Sequence, residues 1–358
     1  MPSSQMDKNT IFNLLRQVNY PGFSRDIVSF GLIRDVQFQN ENVTIKLEVS
    51  TDNPKIPTQI KAEVESILTR AEGISNADVR IALKTPTSPT PPSAPMPRKI
   101  PGVKHVIAIA SGKGGVGKST FAVNLACAVE RILSARGMPR QTGIMDCDIY
   151  GPSIPLMIGI NTRPEIEDEK ILPIENFHIR VMSMGFLVDD QTPVVWRGPM
   201  VTQTIVQFAQ YVDWGELELL IVDLPPGTGD AHLTLVQNIA IDGAIIITTP
   251  QAAAFNVACR GARMFDKVNV PILGVAENMS YLEDPTSGEH NYIFGKGGGE
   301  TTATFLETDL FGQVPLDPRI REGGDIGVPS VVGFPDCNAS QIFNQIAEKT
   351  LAKLLIGK

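Results

Sequence analysis

The segment of this chain with the clearest capacity for chemistry spans residues 112–120 and reads Gly-Lys-Gly-Gly-Val-Gly-Lys-Ser-Thr. Its spacing satisfies the P-loop pattern Gly-x-x-x-x-Gly-Lys-Ser/Thr. Glycines permit a tight turn in which backbone N–H groups point at phosphate oxygens. Lys118 would place positive charge at the β- and γ-phosphates, and the Ser119 hydroxyl would be a ligand for Mg²⁺. The predicted nucleotide-binding residues are Gly112, Lys113, Gly114, Gly115, Val116, Gly117, Lys118, Ser119 and Thr120.

The P-loop pattern does not require the lysine at position 113. Lys113 is open to two interpretations. It is either a solvated surface charge or a group that neutralises transition-state charge, in cis or across a dimer, as an arginine finger does. With Lys118 and Asp148 it completes the set of predicted catalytic residues.

Two acidic segments follow apolar runs and are suited to a magnesium site. Asp223 ends the run 219–223 and precedes a loop containing Gly227 and Gly229, which suits a segment that moves with the γ-phosphate. Asp148 follows the run 142–146 and is placed to orient the attacking water or to touch the magnesium shell, whereas Asp146 has either a structural role or one in that shell. The alternative is that these acids only cap turns. The predicted magnesium ligands are Ser119, Asp148 and Asp223.

The elements that must position these residues read as repeated βα units. A strand at 106–110 and a helix at 121–136 flank the P-loop, and further apolar strands are predicted at 142–146, 179–182, 219–223, 244–249 and 272–276. Continuous apolar strands covered by helices predict an α/β fold with a parallel sheet, a P-loop NTPase domain, whose ligands lie at the carboxyl ends of the strands.

The chain is predicted to contain a small α+β domain at residues 1–84, a linker at 85–101 and a P-loop domain at 102–358. Seven prolines between residues 86 and 101 favour an extended linker. In the N-terminal part we expect a helix at 11–18, a hairpin of 32–39 and 43–49 with its turn at 40–42, a helix at 55–70 and a strand at 77–83.

Composition narrows the class of protein. The net charge of −8 over 358 residues argues against nucleic-acid binding by a basic face. There is no apolar leader in residues 1–20 and no run of membrane-spanning length. Four cysteines far apart, without a Cys-x-x-Cys pair, favour a reduced, cytoplasmic location. The apolar helix expected at 340–358 is either the last core helix or one that lies on a membrane.

Together these motifs resemble the Mrp/NBP35 (ApbC-type) P-loop ATPases, iron–sulfur cluster carriers of the deviant Walker-A group. The resemblance rests on residues 112–120, 146–148 and 222–230, with Glu-Asn-Met-Ser at 277–280, Phe-Gly-Lys-Gly-Gly-Gly at 294–299 and Val-Pro-Leu-Asp-Pro-Arg-Ile-Arg at 314–321. Residues 25–28 and 31–36 resemble a MIP18-type (DUF59) module.

This resemblance implies a homodimer with ATP near its interface and Lys113 reaching the partner's nucleotide. Asn278 would contact the adenine, and Pro315 and Leu316 would line the base pocket. The cargo would be an iron–sulfur cluster passed to apo-proteins. Independently, the absence of an Asn-Lys-x-Asp motif after the late strands favours ATP over GTP.

The sequence departs from the family at the cluster site. Members of this family usually carry Cys-x-x-Cys just after Glu-Asn-Met-Ser, but residues 281–290 contain no cysteine. The MIP18-type module often carries a cysteine in the turn after its second strand, and the corresponding turn at 51–57 has none. Because thiolates are the usual cluster ligands, the ligands here are unknown. Cys337, in a loop expected to be exposed, is a candidate, whereas Cys127, Cys147 and Cys259 are interpreted as interior. Glu283, Asp284 and His290 are either oxygen and nitrogen ligands or part of a solvated loop.

Three functions are considered, and of these we expect the first. The first is an Mg-dependent ATPase that carries iron–sulfur clusters. The second is a partition- or positioning-type ATPase switch that binds a partner or a membrane without a cluster. The third is a scaffold in which ATP is only a structural switch.

Overall fold

The structure is a computed structural model that describes residues 8–19, 21, 26–28, 31–39, 41–50, 55–71, 73–84, 97–148, 151–186, 198–227 and 230–356. The chain divides into two units, residues 1–94 and 95–358. Each unit has its own apolar core, and each is described by itself.

The N-terminal unit is a three-stranded sheet with two helices. Its elements are α1 (Lys8–Leu15), β1 (Ile33–Gln39), β2 (Asn42–Ser50), α2 (Lys55–Thr69) and β3 (Asn76–Lys84). Strand β2 lies in the middle, antiparallel to β1 and parallel to β3. The expected hairpin, second helix and last strand are therefore present, but α1 begins three residues earlier than predicted. The predicted turn is shorter because Asn42 already belongs to β2, and residue 40 lies outside the described residues.

The C-terminal unit is built on a parallel sheet. Its strands are β4 (Val103–Ser111), β5 (Thr142–Asp146), β6 (Ile166–Glu167), β7 (Lys170–Ile171), β8 (Ile174–Asn176), β9 (Ile179–Ser183), β10 (Leu217–Asp223), β11 (Gly243–Thr248), β12 (Ile272–Glu277), β13 (Leu282–Glu283), β14 (His290–Asn291) and β15 (Asp309–Gln313). In the described ranges the main sheet has the order β15-β12-β11-β4-β10-β5-β9-β8. All neighbours run parallel except β8, which is antiparallel to β9.

Helices alternate with these strands along the chain. They are α3 (Lys118–Ala135), α4 (Ile154–Met157), α5 (Gly198–Tyr211), α6 (Asp230–Asn238), α7 (Ala252–Lys267), α8 (Gly298–Phe305), α9 (Pro318–Ile326), α10 (Ser330–Gly333) and α11 (Asn338–Ile356), with a 3₁₀ turn at Met184–Phe186. The central strands are buried along their length, as the continuous apolar runs predict. The predicted α/β fold with a parallel sheet is confirmed. Strands β8 and β15 were not predicted, since they are short and mix polar with apolar residues.

The end of the predicted linker lies within the C-terminal unit. The Arg98 N–H donates to the Asn238 carbonyl over 2.9 Å, and the Arg98 carbonyl accepts from the Ala240 N–H over 3.0 Å. Ile100 is buried in the core of this unit. Extending the linker to residue 101 was therefore wrong, because these residues pair with the chain after α6. Residues 85–96 lie outside the described residues.

Helix α11 packs along α3, and its apolar side chains Phe343, Ile346 and Leu351 are buried. The rings of Phe121 and Phe343 lie 5.4 Å apart between centroids. The tail is therefore the last core helix rather than one with a free apolar face. None of the helices in the described ranges combines the length and the apolar character that crossing a bilayer requires.

We predict that Phe343→Ala lowers the free energy of unfolding by about 3–5 kcal/mol, because a fully buried ring leaves a cavity between α3 and α11. The matched control is Phe305→Ala, whose ring is half exposed and should cost only about 1 kcal/mol. Urea unfolding followed by tryptophan fluorescence measures both, since Trp214 is fully buried in the core of the C-terminal unit. Equal losses in the two variants would contradict this packing.

Candidate functional site

The P-loop lies between β4 and α3, at the carboxyl edge of the middle of the sheet. It lines a cavity of about 240 Å³ together with Asp148, Ser153 and Pro226. Gly115 and Gly117 have φ of +79° and +75°, a left-handed backbone that turns the chain into α3. A helix N-terminus with its free N–H groups thus faces the cavity, which suits an anion.

Two of the P-loop glycines also allow close packing. An ideal Cβ on Gly112 would lie 2.2 Å from the carbonyl carbon of Val257 in α7, and one on Gly117 would lie 2.4 Å from Nδ2 of Asn278. Gly112 and Gly117, predicted to let the backbone approach phosphate, are therefore also needed for the close packing of α7 and Asn278 against the P-loop.

The side chains of the P-loop converge on one buried carboxylate. Lys118 Nζ donates to Asp223 Oδ1, and Ser119 Oγ donates to Asp223 Oδ2 over 2.6 Å. Asp223 is fully buried at the end of β10, and Lys118 is only 6% exposed. Burial raises the pKa of Asp223, and the Lys118 ammonium opposes that rise. The structure thus brings together three of the residues that the sequence predicted for this site.

A second buried carboxylate stands beside the first. Asp146 and Asp223 are register partners on the parallel strands β5 and β10. Asp146 Oδ1 accepts from the Asp148 N–H over 3.0 Å, and Oδ2 accepts from Ser183 Oγ over 2.8 Å. Burial, followed by the charge of Asp223, raises the pKa of Asp146. Asp146 therefore fixes the backbone at Asp148 by a direct hydrogen bond.

Asp148 is half-buried and lines the same cavity as the P-loop. Its Oδ1 accepts from the Gly151 N–H over 3.3 Å. It is the predicted acid that faces the cavity, whereas Asp146 is held beneath it. In the other glycine-containing loop, Gly227 has a φ of +102°, and Gly229 lies outside the described residues.

Lys113 lines the same cavity and forms a hydrogen bond with a residue outside the group of acids. Its Nζ donates to Oε1 of Gln251 over 2.7 Å, at the residue that precedes α7. No motif in the sequence points to Gln251, which lies 138 residues further along the chain.

A second cavity of about 260 Å³ adjoins the first one. Gly117 and Thr120 of the P-loop and Met157 of α4 line both cavities. Asn278, Pro315 and Leu316, predicted for the base pocket, all line it. Asn278 Nδ2 donates to the Val116 carbonyl over 2.8 Å. Sequence reasoning gave no role to Leu156 of the short helix α4, nor to Ile320 and Arg321 of α9, which also line this cavity. The last two belong to the segment 314–321 that carries the family resemblance.

The prediction that Cys337 is exposed was wrong. All four cysteines are buried, and Cys337 is 7% exposed because its loop turns directly into α11. Its Sγ and Ser340 Oγ lie 3.1 Å apart, a hydrogen bond at the start of that helix. Cys337 lines a cavity of about 770 Å³ with Glu283, Asp284 and other residues.

The other thiols are interior, as interpreted from the sequence. Burial raises the pKa of Cys127 to about 12 and that of Cys147 well above the usual range, which disfavours the thiolate that binds metal. His290 stacks on the Tyr281 ring at 3.8 Å between centroids. Among the described residues, no group of three or more histidines, cysteines and acids could hold a metal ion.

Comparison with known proteins points in one direction. Residues 102–351 match the family model of the NUBPL iron-transfer P-loop NTPase, and residues 8–92 match that of an iron–sulfur cluster assembly protein. The chain is 39% identical over 352 residues, 97% of each chain, to an iron–sulfur cluster carrier protein of Synechocystis sp.. It is 47% identical over 257 residues to a mitochondrial iron–sulfur protein required for NADH dehydrogenase of Arabidopsis thaliana, which covers 72% of this chain and 80% of the relative.

A solved structure is also similar. It is a nucleotide-binding protein of Archaeoglobus fulgidus in complex with ADP, with a TM-score of 0.57 and 34% identity, covering 68% of this chain and 93% of that one.

The two left-handed glycines of the P-loop provide a matched test of its packing. We predict that Gly115→Ala lowers the free energy of unfolding by about 1 kcal/mol through its positive φ alone, because nothing lies within 4 Å of an added Cβ. Gly117→Ala should cost a further 1–3 kcal/mol, roughly, because its Cβ would overlap Asn278. Urea unfolding without nucleotide measures the difference, and equal losses would disprove the close approach.

Proposed function

The chain belongs to the family of NUBPL iron-transfer P-loop NTPases, and we propose that it is a Mg²⁺-dependent ATPase that carries iron–sulfur clusters to apo-proteins. The observation that carries the ATPase part is the convergence of Lys118 and Ser119 on the buried carboxylate of Asp223, beneath a cradle of backbone N–H groups.

The donor set fits Mg²⁺ and a nucleoside triphosphate. Mg²⁺ prefers hydroxyl, carboxylate and water oxygens, and Ser119, Asp223 and Asp148 present such oxygens at or near one cavity. When bound, the metal would neutralise charge on the β- and γ-phosphates. Lys118 would exchange its contact with Asp223 for one with these phosphates, and Ser119 would exchange its own for the metal.

Asp148 would orient the attacking water, because it faces the cavity from a backbone that Asp146 holds. Lys113 would stabilise the charge of the transition state. Its contact with Gln251 keeps its ammonium at the rim of the site, from which it would reach the nucleotide of a second subunit in a homodimer.

The adenine would occupy the cavity of about 260 Å³ beside the P-loop. Asn278 has its amide nitrogen engaged by the Val116 carbonyl, which fixes the side chain between the phosphate cradle and the base. Pro315 and Leu316 supply the apolar wall that an aromatic base requires.

The cluster would be the cargo of this protein. Because residues 281–290 lack the paired cysteines of the family, other ligands must hold the cluster. The thiol of Cys337 lines a large cavity together with Glu283 and Asp284 of the segment 281–290. One such thiol per subunit gives two in a dimer, and additional ligands would have to come from the apo-protein or from Glu283 and Asp284. The same scarcity of thiols favours the second candidate, an ATP-driven switch that binds a partner without a cluster.

Substitution of the two lysines of the P-loop should change ATP binding and hydrolysis in different ways. We predict that Lys118→Ala loses both ATP binding and hydrolysis, because the charge at the β- and γ-phosphates is removed. Lys113→Ala should lower kcat by about 100-fold or more with little change in KM, because it acts only on the transition state. Steady-state ATPase assays with and without Mg²⁺ measure both.

Lys267→Ala, an exposed lysine in the last turn of α7, is the matched control and should behave as the wild type. Equal losses of binding and turnover in Lys113→Ala would refute its catalytic role. Wild-type turnover no faster than that of Lys118→Ala would leave ATP as a structural switch only.

Anaerobic reconstitution with iron and sulfide tests the cargo. We predict stable binding of both, with a charge-transfer band in the visible spectrum, and loss of this band in Cys337→Ser. Cys127→Ser is the matched control, since its thiol is buried within α3 and should leave the band unchanged. Failure of the wild type to retain iron and sulfide would favour the switch that binds partners without a cluster.

A further inference from the structure

Glu277 is a buried acid that the proposed chemistry does not use. It ends β12 and is fully buried. Its Oε1 accepts from Ser280 Oγ and from Gln313 Nε2, the latter over 3.1 Å, and its Oε2 accepts from the Gly299 N–H. A carboxylate only accepts hydrogen bonds, and all three partners are donors. The residue is therefore built into a specific network.

Two of these donors mark the two ends of one segment. Ser280 directly precedes it and Gly299, in the first turn of α8, follows it closely, and between them lie β13 and β14, which pair as a hairpin. We call residues 281–297 the hairpin segment. Both of its ends are thus fastened to the same carboxylate, one to each oxygen.

The base of the hairpin segment adjoins the nucleotide site. Asn278, next to Glu277, donates to the P-loop carbonyl of Val116 over 2.8 Å. At the other end, a Cβ on Gly298 would lie 2.6 Å from the Pro250 carbonyl oxygen, and the next residue, Gln251, holds Lys113. Both ends of the segment are therefore connected to residues of the P-loop, one through Asn278 and the other through Pro250 and Gln251.

The first strand of the hairpin segment and the residue before it contact a different region. Asn338 Nδ2 donates to the Tyr281 hydroxyl over 3.3 Å and to Glu283 Oε2 over 2.7 Å. Tyr281 stacks on His290, which joins the two strands of the hairpin. The segment thus connects the nucleotide site with the cavity that Cys337 and Asn338 line.

We propose that Glu277 is a positioning residue that couples the nucleotide site to the hairpin segment by fastening both of its ends. The coupling rests on the proposed ATP binding. Nucleotide bound against Asn278 and Lys113 holds the base of the hairpin in place. The hydrogen bonds of Glu277 to Ser280 and Gly299 then restrain residues 281–297 as well. The hairpin then presents the wall of the Cys337 cavity in one arrangement when nucleotide is bound and in a looser one when it is not.

Hydrogen exchange of the full-length protein tests the coupling. In the wild type, MgATP should slow exchange in residues 281–297 by about tenfold or more, because order at the base suppresses local opening. Glu277→Met keeps the volume but removes the acceptors, and should reduce this effect to about twofold or less. Binding of a fluorescent ATP analogue is measured in parallel for every variant.

Three further variants separate coupling from simple damage. Glu277→Gln should restore the effect, because its amide oxygen can accept from Gly299 while its nitrogen donates to the Ser280 hydroxyl and to a reoriented Gln313 amide. Ser280→Ala, which unfastens one end only, should give an intermediate effect and serves if Glu277→Met does not fold. Glu300→Met, an exposed acid in the first turn of α8, should match the wild type.

The outcomes distinguish this inference from the proposed function. Full ATP-induced protection in Glu277→Met or in Ser280→Ala, or ATP binding to the wild type without protection of residues 281–297, overturns the coupling and leaves the ATPase proposal standing. No binding of the analogue to the wild type overturns the proposed function and the coupling with it.

Discussion

The carboxylate of Asp223 is the constraint on which the rest of the site depends. Removing a charge from water is costly unless a partner of opposite charge and good hydrogen bonds replace the water, and Asp223 is fully buried. Lys118 and Ser119 supply these partners from the first turn of α3. The helix must therefore begin over the end of β10, and the P-loop before it must turn within a few residues. Burial of one charge thus sets the position of the phosphate cradle.

The neighbouring strands show how the same edge of the sheet divides its acids by role. Asp146 and Asp223 lie side by side in register, and two adjacent buried carboxylates repel each other. The structure resolves this by giving Lys118 to Asp223 and hydrogen bonds from Ser183 and the Asp148 backbone to Asp146. Asp148, two residues beyond the end of β5, lines the cavity. The three neighbouring acids therefore have different roles. Asp223 pairs with the charge of Lys118, Asp146 supports the backbone at Asp148, and Asp148 lines the cavity.

The sequence predicted what local patterns encode and missed what distant segments bring together. The P-loop, the strand ending in Asp223 and the parallel sheet follow from glycine spacing and continuous apolar runs. Gln251 beside Lys113 and the cavity wall from α4 depend on tertiary packing between segments that carry no shared motif. Cys337 was misjudged because a loop of Gly, Pro, Asp and Asn suggests exposure, whereas its contact with Ser340 draws the thiol into the start of α11. Arg98 and Ile100 were assigned to the linker because prolines precede them, although their bonds and burial place them in the C-terminal unit.

The three-residue strand β8 has a consequence for how this protein meets other copies of itself. A long parallel strand at a sheet edge offers a row of unpaired backbone groups on which another chain can add a strand. Here the edge beyond β9 is finished by a strand of only three residues that runs in the opposite direction. A template this short disfavours continuation of the sheet from one molecule into the next at that edge. Self-association by strand addition, the route to aggregation, is therefore blunted on the side of the sheet that lies farthest from β15.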